Sequence, residues 1–329
     1  MSRETDLQDF LVKNGWGNAE RISLLADASL RTYDRLKMGN KTAILMNSPL
    51  SERPDQFVLI DELLRKAGVH APKILARDLK SGFLILEDFG NDTFTNLLKK
   101  GVSEFDLYKQ GIDALIQIQE GVSLPEDGIP VYSFERMING VMMLPNWFGK
   151  ALPDGLSEQA KGEFKEIWQD LIQKLEGLPQ TLVLLDYHAD NLMITPAGDC
   201  GILDFQDACI GPVGYDLMSL LEDERRDVSP DVREKLIEYY FNKRPKMNTP
   251  TIRETLSIVA MQRHTRVIGI FVRLFLRDKK EKYLKMIPFV WELTERHLNE
   301  PIFQAYKNWI NRYIPEKIRH LVLTSEDFT

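Results

Sequence analysis

The stretch that decides how this chain reads is Leu182-Val183-Leu184-Leu185-Asp186-Tyr187-His188-Ala189-Asp190-Asn191-Leu192-Met193-Ile194-Thr195, continuing as Pro196-Ala197-Gly198-Asp199-Cys200-Gly201-Ile202-Leu203-Asp204-Phe205-Gln206-Asp207. Two short apolar runs, Leu192–Thr195 and Cys200–Leu203, flank Pro196–Asp199, a turn composition rich in Pro, Gly and Asp, so the segment is expected to form a β-hairpin. A four-residue turn there would set Asn191 opposite Asp204 at the open end, with Cα atoms roughly 4.5 to 5.5 Å apart. An amide oxygen and a carboxylate would then meet. Both are hard oxygen donors, and Mg²⁺ is commonly held by one or two such groups together with water and phosphate oxygens. Asp186, five residues before Asn191, is placed to reach the same point as a base or a charge stabiliser.

An Asp, then Asn five positions on, then a later Asp-Phe is the spacing protein kinases use to accept a hydroxyl proton and to hold magnesium over phosphates. It suits phosphoryl transfer, where positioning and charge neutralisation do most of the catalysis. The competing reading, that Asp186, Asn191 and Asp204 only cap turns, leaves their convergence on one hairpin mouth unexplained. No G-x-x-x-x-G-K-[ST] loop and no G-x-G-x-x-G after a strand competes.

Outward from this segment the chain changes character. Upstream, residues 4–14 read as a short amphipathic helix. Strand-like runs follow at Ile22–Ala26, Arg31–Lys37 and Thr42–Met46, the last two joined by a Met38–Lys41 turn. Gln56–Ala67 has helical spacing with Gly68 as its stop, and Lys73–Ala76 and Phe83–Leu86 form a second hairpin. From about residue 92 helices dominate: Phe105–Glu120, Glu163–Glu176, residues 231–242 and much of 251–313. A β-rich lobe over residues 1–90 and a helical lobe over 91–329 read as α+β with an interlobe cleft, a favoured ligand location, and the likeness of the Asp-Asn-Asp spacing to that of kinases makes a bilobal protein-kinase-like fold the expectation.

Composition agrees with a soluble enzyme. The 329 residues are 43% hydrophobic and 28% charged, with a net charge of −7, which disfavours a nucleic-acid partner. Cys200 and Cys209 form no metal or disulfide pattern and read as reduced core thiols. The charged N-terminus and the lack of a long apolar run point to a cytoplasmic protein without a membrane partner.

The residues so far quoted, with Asp27-Ala28-Ser29-Leu30-Arg31-Thr32-Tyr33-Asp34-Arg35, Gly68-Val69-His70-Ala71-Pro72, Leu86-Glu87-Asp88-Phe89-Gly90, Gly211-Pro212, Tyr215-Asp216-Leu217 and Gln262-Arg263, resemble the aminoglycoside phosphotransferase family of kinase-like small-molecule kinases over nearly the whole chain. Within it the chain most resembles the bacterial kinases that phosphorylate the anomeric hydroxyl of N-acetylmuramate or N-acetylglucosamine in cell-wall recycling. The resemblance implies ATP and Mg²⁺ as cofactors and a small polar substrate, an amino sugar or, alternatively, an aminoglycoside. It implies Asp186 as the catalytic Asp and Asn191 and Asp204 as metal ligands. It also implies that Asp27 to Tyr33 form the turn over the nucleotide phosphates, with Asp27, Ser29 and Arg31 among its binding residues, and that a hinge near Glu87 turns its backbone to adenine.

The departures matter. The family's His two positions before the catalytic Asp is Leu184 here, and the Arg of protein kinases is Leu185, which argues against control by a phosphorylated activation loop. The strand where kinases place the lysine for the α/β-phosphates reads Ala43-Ile44-Leu45-Met46-Asn47, so either a cation from elsewhere substitutes, with Arg31 and Arg35 the nearest candidates, or nucleotide binding is weak. A catalytically inactive nucleotide-binding protein is the rival reading, opposed by intact Asp186, Asn191 and Asp204. His188 reads as a turn-ordering residue. Glu222–Asp227 reads as a solvated helix end in preference to a sugar-contacting edge. Gln262–Arg266, on an apolar helix, needs either buried partners or a polar ligand.

Overall fold

The computed structural model describes residues 2–24, 30–124 and 127–328. Along the chain the elements are α1 (Arg3–Lys13), β1 (Glu20–Leu24), β2 (Thr32–Met38), β3 (Lys41–Asn47), α2 (Pro54–Lys66), β4 (Ile74–Asp78), β5 (Phe83–Leu86), α3 (Phe94–Lys99), α4 (Glu104–Gly121), α5 (Phe134–Val141), α6 (Met143–Trp147) and α7 (Glu158–Gln173). They continue with β6 (Gln180–Val183), β7 (Leu192–Ile194), β8 (Cys200–Ile202), β9 (Cys209–Pro212), α8 (Tyr215–Leu221), α9 (Pro230–Lys243), α10 (Pro250–Asp278), α11 (Ile287–His297) and α12 (Gln304–Tyr313). Compactness divides the chain into one unit of Met1–Ile129 with Leu184–Cys209 and another of Pro130–Val183 with Ile210–Thr329.

In the first unit an antiparallel sheet runs β1-β2-β3-β5-β4. Side chains alternate across a strand, and the sequence uses this to give the sheet two different faces. Leu36, Ala43, Leu45, Phe83 and Ile85 pack with Leu7, Phe10 and Leu11 of α1 into one apolar core. The intervening positions, Tyr33 and Arg35 on β2 and Ile44 and Met46 on β3, belong to the opposite face. Tyr33 lies directly across from Met46, and Arg31 precedes Tyr33 by one alternation step. Helix α2 begins with Pro54 at its first turn, where a missing N–H costs nothing. It ends as Gly68 implies: Gly68 has φ +83°, and the N–H groups of Gly68 and Val69 return to the carbonyls of Arg65 and Leu64 at 3.1 and 2.9 Å, closing a Schellman motif.

The β7–β8 hairpin belongs to the same unit and is held from two sides. Its Ile202 N–H donates to the His70 carbonyl at 3.0 Å, and its Ile194 N–H donates to Asp92 at 2.9 Å. Gly201 is required for space: a Cβ there would stand 2.7 Å from the Phe89 ring.

The second unit is helical. Helix α10 is its buried centre; Gly269 lets it approach α6 so closely that a Cβ would lie 2.2 Å from the Met143 backbone. Trp168 and Trp291 are fully buried, and the Trp309 indole donates to the Ala160 carbonyl at 2.8 Å.

One expectation is overturned here. Glu222, Asp223 and Glu224 are not a solvated helix end but are buried. Glu224 accepts from Arg263 at 2.8 Å, while Glu222 pairs with Arg233 at 3.1 Å and with His297 at 2.9 Å. The mixed signs that suggested solvent exposure are the acidic half of an internal network whose basic half lies on α9, α10 and α11. The same pairs settle the use of Arg263, and Gln262 is occupied by the Tyr132 hydroxyl and the Met137 carbonyl. No helix of the described residues is long and apolar enough to cross a membrane, and neither cysteine forms a disulfide.

Candidate active site

The three oxygen-bearing residues singled out above all lie in the first unit. Strand β6 ends at Val183, and the loop that follows turns at Leu185, whose φ of +70° is left-handed. Tyr187 pins this loop by donating its buried hydroxyl to the Gly111 carbonyl of α4 at 2.6 Å. The Asn191 amide nitrogen donates to the Asp186 carbonyl at 2.9 Å and lies 3.3 Å from His188 Nε2. This ties the two polar residues into one rigid turn and directs the other amide atom, Oδ1, away from those partners. His188 is buried at the base of the turn, the ordering place expected for it. Asp190 takes the Thr95 hydroxyl.

The hairpin register differs from the expected one. Leu192 faces Ile202 and Ile194 faces Cys200, so Asn191 stands opposite Leu203, whose N–H donates to the Asn191 carbonyl at 2.9 Å. Asp204 falls one residue further along. The cause is the turn: Thr195 N–H reaches the Asp199 carbonyl and Gly198 N–H reaches Thr195, both at 2.9 Å, and Gly198 has φ +89°. This is a three-residue loop, a type I turn closed by a left-handed glycine. A loop one residue shorter than the expected four slips the pairing by one.

Asp204 is nevertheless brought to the site, because its backbone breaks from the strand with φ +56°. Phe205 next to it is fully buried and stacks on Phe57 of α2 at 4.8 Å between ring centroids. The Asp204 side chain remains 45% exposed. Burial of the rest of the group first, and the nearby Asp186 carboxylate second, push Asp204 above its ordinary pKa, against a hydrogen bond from Gln206 and the charge of Arg31. The influence of Asp186 on Asp204 places the two carboxylates in one electrostatic neighbourhood. Gln206 Nε2 reaches Asp204 Oδ1 at 2.9 Å.

The two candidate cations part ways. Arg31, 3% exposed, has Nη1 at 3.7 Å from Asp204 Oδ1 and donates through Nη2 to the Glu52 carbonyl at 2.7 Å. Arg35 is spent elsewhere, on Asp88 at 2.8 Å, the Gly90 carbonyl at 2.7 Å and Asn91 at 2.8 Å. Glu87 is part of the sheet margin. Its N–H donates to the Lys73 carbonyl at 2.9 Å and its carboxylate accepts from the Lys73 N–H at 3.1 Å. Asp27 and Ser29 lie outside the described residues. Nothing in the sequence assigned a role to Glu52 or Gln206, whose contacts with Arg31 and Asp204 carry no local signal.

Among the described residues no group of three or more His, Cys, Asp or Glu side chains could hold a metal ion. One amide oxygen and one carboxylate are instead the sparse donor set that suits an ion completing its shell from phosphates and water. These residues fit magnesium and do not fit zinc.

A strand-rich unit that carries such a loop and hairpin has the fold of the protein-kinase-like small-molecule kinases. A choline/ethanolamine kinase family protein from Mesorhizobium loti superposes with a TM-score of 0.64 at 14% identity, over 94% of this chain and 100% of that one. An ADP-bound aminoglycoside phosphotransferase superposes with a TM-score of 0.61 at 16% identity, over 91% and 99%. At such identities the likeness speaks for the fold alone. Residues 21–249 match the phosphotransferase enzyme family, and the chain belongs to that family; it is a small-molecule kinase. An N-acetylmuramate/N-acetylglucosamine kinase of Caulobacter vibrioides is 30% identical over 96% of this chain and 98% of its own length. A protein of the same name from Pseudomonas aeruginosa is 33% identical over 88% of each.

Proposed function

We propose that the chain transfers the γ-phosphoryl group of ATP to the anomeric hydroxyl of N-acetylmuramate or N-acetylglucosamine. The observation that carries the proposal is the end-to-end match to relatives bearing that name, joined to a loop and hairpin that bring Asp186, Asn191 and Asp204 into one unit.

In this reading Asp186 orients the sugar hydroxyl and takes its proton as the new P–O bond forms, which raises the nucleophilicity of the oxygen in line with the phosphorus. Asn191 and Asp204 hold Mg²⁺, which neutralises phosphate charge when bound. Asp27, Ser29 and Arg31 serve the phosphates. Because the Glu87 N–H is already used within the sheet margin, adenine would meet the backbone beyond it. Functionally, residues 1–90 bind nucleotide and residues 91–329 supply catalysis and the sugar site. The substrate is a small uncharged or singly charged sugar, with no nucleic acid or membrane as partner.

The test is ADP release with a panel of acceptors: N-acetylmuramate, N-acetylglucosamine, kanamycin and choline. The reading expects kcat/KM for the N-acetylated sugars to exceed that for kanamycin and choline by about a hundredfold or more, a difference of roughly 2.7 kcal/mol in transition-state binding. Preference for kanamycin would move the chain to the antibiotic kinases, and ATP binding without turnover on any acceptor would return it to the inactive class.

A further inference from the structure

Kinases of this architecture hold nucleotide phosphates with a lysine on the third strand, and here that strand has Met46, fully buried, on the face opposite α1. The same face of the neighbouring strand supplies a replacement. Tyr33 is the cross-strand partner of Met46, and Arg31 lies one alternation step beyond it. Its guanidinium is enclosed between two carboxylate residues: Nη2 is 3.7 Å from Glu52 Oε2 and 2.7 Å from the Glu52 carbonyl, and Nη1 is 3.7 Å from Asp204 Oδ1.

We propose that Arg31, positioned by Glu52, is a shared cation that serves either the Asp204 carboxylate or the nucleotide phosphates, so that metal and phosphate binding are coupled through it. The proposal rests on the kinase reading above and adds to it the residue that holds Arg31 and the direction of the coupling.

Two features support it. First, Glu52 holds the guanidinium by both its carbonyl and its carboxylate, so the cation keeps its place if it leaves Asp204. Arginine suits this role because its fork offers five donors, enough for an anchor and a phosphate at once. Second, a divalent ion accepted by Asp204 Oδ1 and the Arg31 guanidinium repel one another, since both seek the same oxygen. Phosphate oxygens relieve that conflict by giving Arg31 another anion.

The coupling gives opposite signs for two affinities, which a merely structural arginine would not. In Arg31→Met, ATP binding measured by calorimetry is expected to weaken between about tenfold and a hundredfold, the worth of a hydrogen bond to a charged group, while adenosine binding is unchanged. In the same variant Mn²⁺ binding without nucleotide, read by electron paramagnetic resonance, is expected to tighten by about threefold or more. Glu52→Gln should weaken ATP binding less, and the double variant should bind no more weakly than Arg31→Met alone, because the two act as one unit.

If Arg31→Met does not fold, Arg31→Lys carries the test, with ATP weakened by a smaller factor and Mn²⁺ binding near wild type. Wild-type ATP affinity in the substituted protein, or a shift of metal and nucleotide affinities in the same direction, overturns the proposal. A wild-type protein that phosphorylates sugars while Arg31→Met binds ATP normally sinks this inference and leaves the kinase reading standing. Failure of the wild type to bind ATP at all sinks the reading itself.

Discussion

In the proposed reading Asp186, Asn191 and Asp204 act as a set, and the chain around them holds two of the three in place. Asn191 is fixed through the Asp186 carbonyl and Asp204 through the stacked Phe205 behind it. Removing one functional atom should therefore leave the fold intact. Asp186→Asn is expected to lower kcat by about a hundredfold to ten-thousandfold, the usual contribution of a positioned base, with a melting temperature close to wild type by calorimetry. Asn191→Ala should act differently, raising the Mg²⁺ concentration for half-maximal rate by about tenfold or more while high Mg²⁺ restores part of kcat. An unchanged Mg²⁺ dependence would remove Asn191 from the metal. That these three residues gather in one unit was legible from spacing. Their register was not, because whether Gly198 closes a three-residue or a four-residue loop depends on one backbone dihedral. What separates Arg31 from Arg35, a reach to Asp204 in one and to Asp88 in the other, was likewise not legible, because it depends on segments far apart in the chain.

At the scale of elements, the β7–β8 hairpin is a rigid platform clamped by the chain near His70 and by Asp92. The Phe57–Phe205 stack ties it to helix α2. Phe57 is 3% exposed, so Phe57→Ala should cost about 3 kcal/mol of stability and reduce kcat more than KM, because Asp204 loses its backing. A denaturant melt and a kinetic trace on the same sample check both parts, and full activity at reduced stability would separate the stack from the site. Gly201→Ala, which drives a methyl against Phe89, should destabilise by about 1 to 3 kcal/mol. Helix α2, its glycine stop and the two N-terminal hairpins were readable, since amphipathic period and turn chemistry agree there. The clamps were not, because they are backbone bonds between segments more than a hundred residues apart, and no local pattern encodes them.

For the molecule as a whole, composition and the early strand-to-helix change were enough to give the fold class, but the buried charges of the second unit escaped a reading based on local polarity. Glu222, Asp223 and Glu224 look solvated until α10 and α11 are folded against them. The network has a pH signature. Burial alone would lower the His297 pKa, but its hydrogen bonds to Glu222 and Glu300 outweigh this and raise it to about 9. His264, which faces Glu222, Glu224 and Arg263, is pushed down to about 4, chiefly by burial. A histidine raised in the folded state contributes its stability in full below an unfolded value near 6.5 and loses it as pH climbs through 9. A histidine lowered in the folded state contributes above 6.5 and loses it as pH falls toward 4. Stability should thus peak near pH 6.5, falling toward pH 9 as the His297 contribution is lost and toward pH 4 as the His264 contribution is lost. His297→Gln should lower it there by about 2 to 4 kcal/mol, because Glu222 loses a charged partner in a buried place, and should flatten the alkaline limb. Chemical denaturation at a series of pH values reads this out; an unaltered alkaline limb in the variant would disconnect His297 from it.

Transfer of phosphate to an anomeric hydroxyl with Asp186 as base can be followed by ³¹P NMR of the protein with ATP, Mg²⁺ and N-acetylmuramate. A sugar 1-phosphate resonance should grow as ADP forms with the wild type and be absent on the same timescale with Asp186→Asn. Phosphate appearing at a different hydroxyl, or at the same rate in both proteins, would contradict this mechanism.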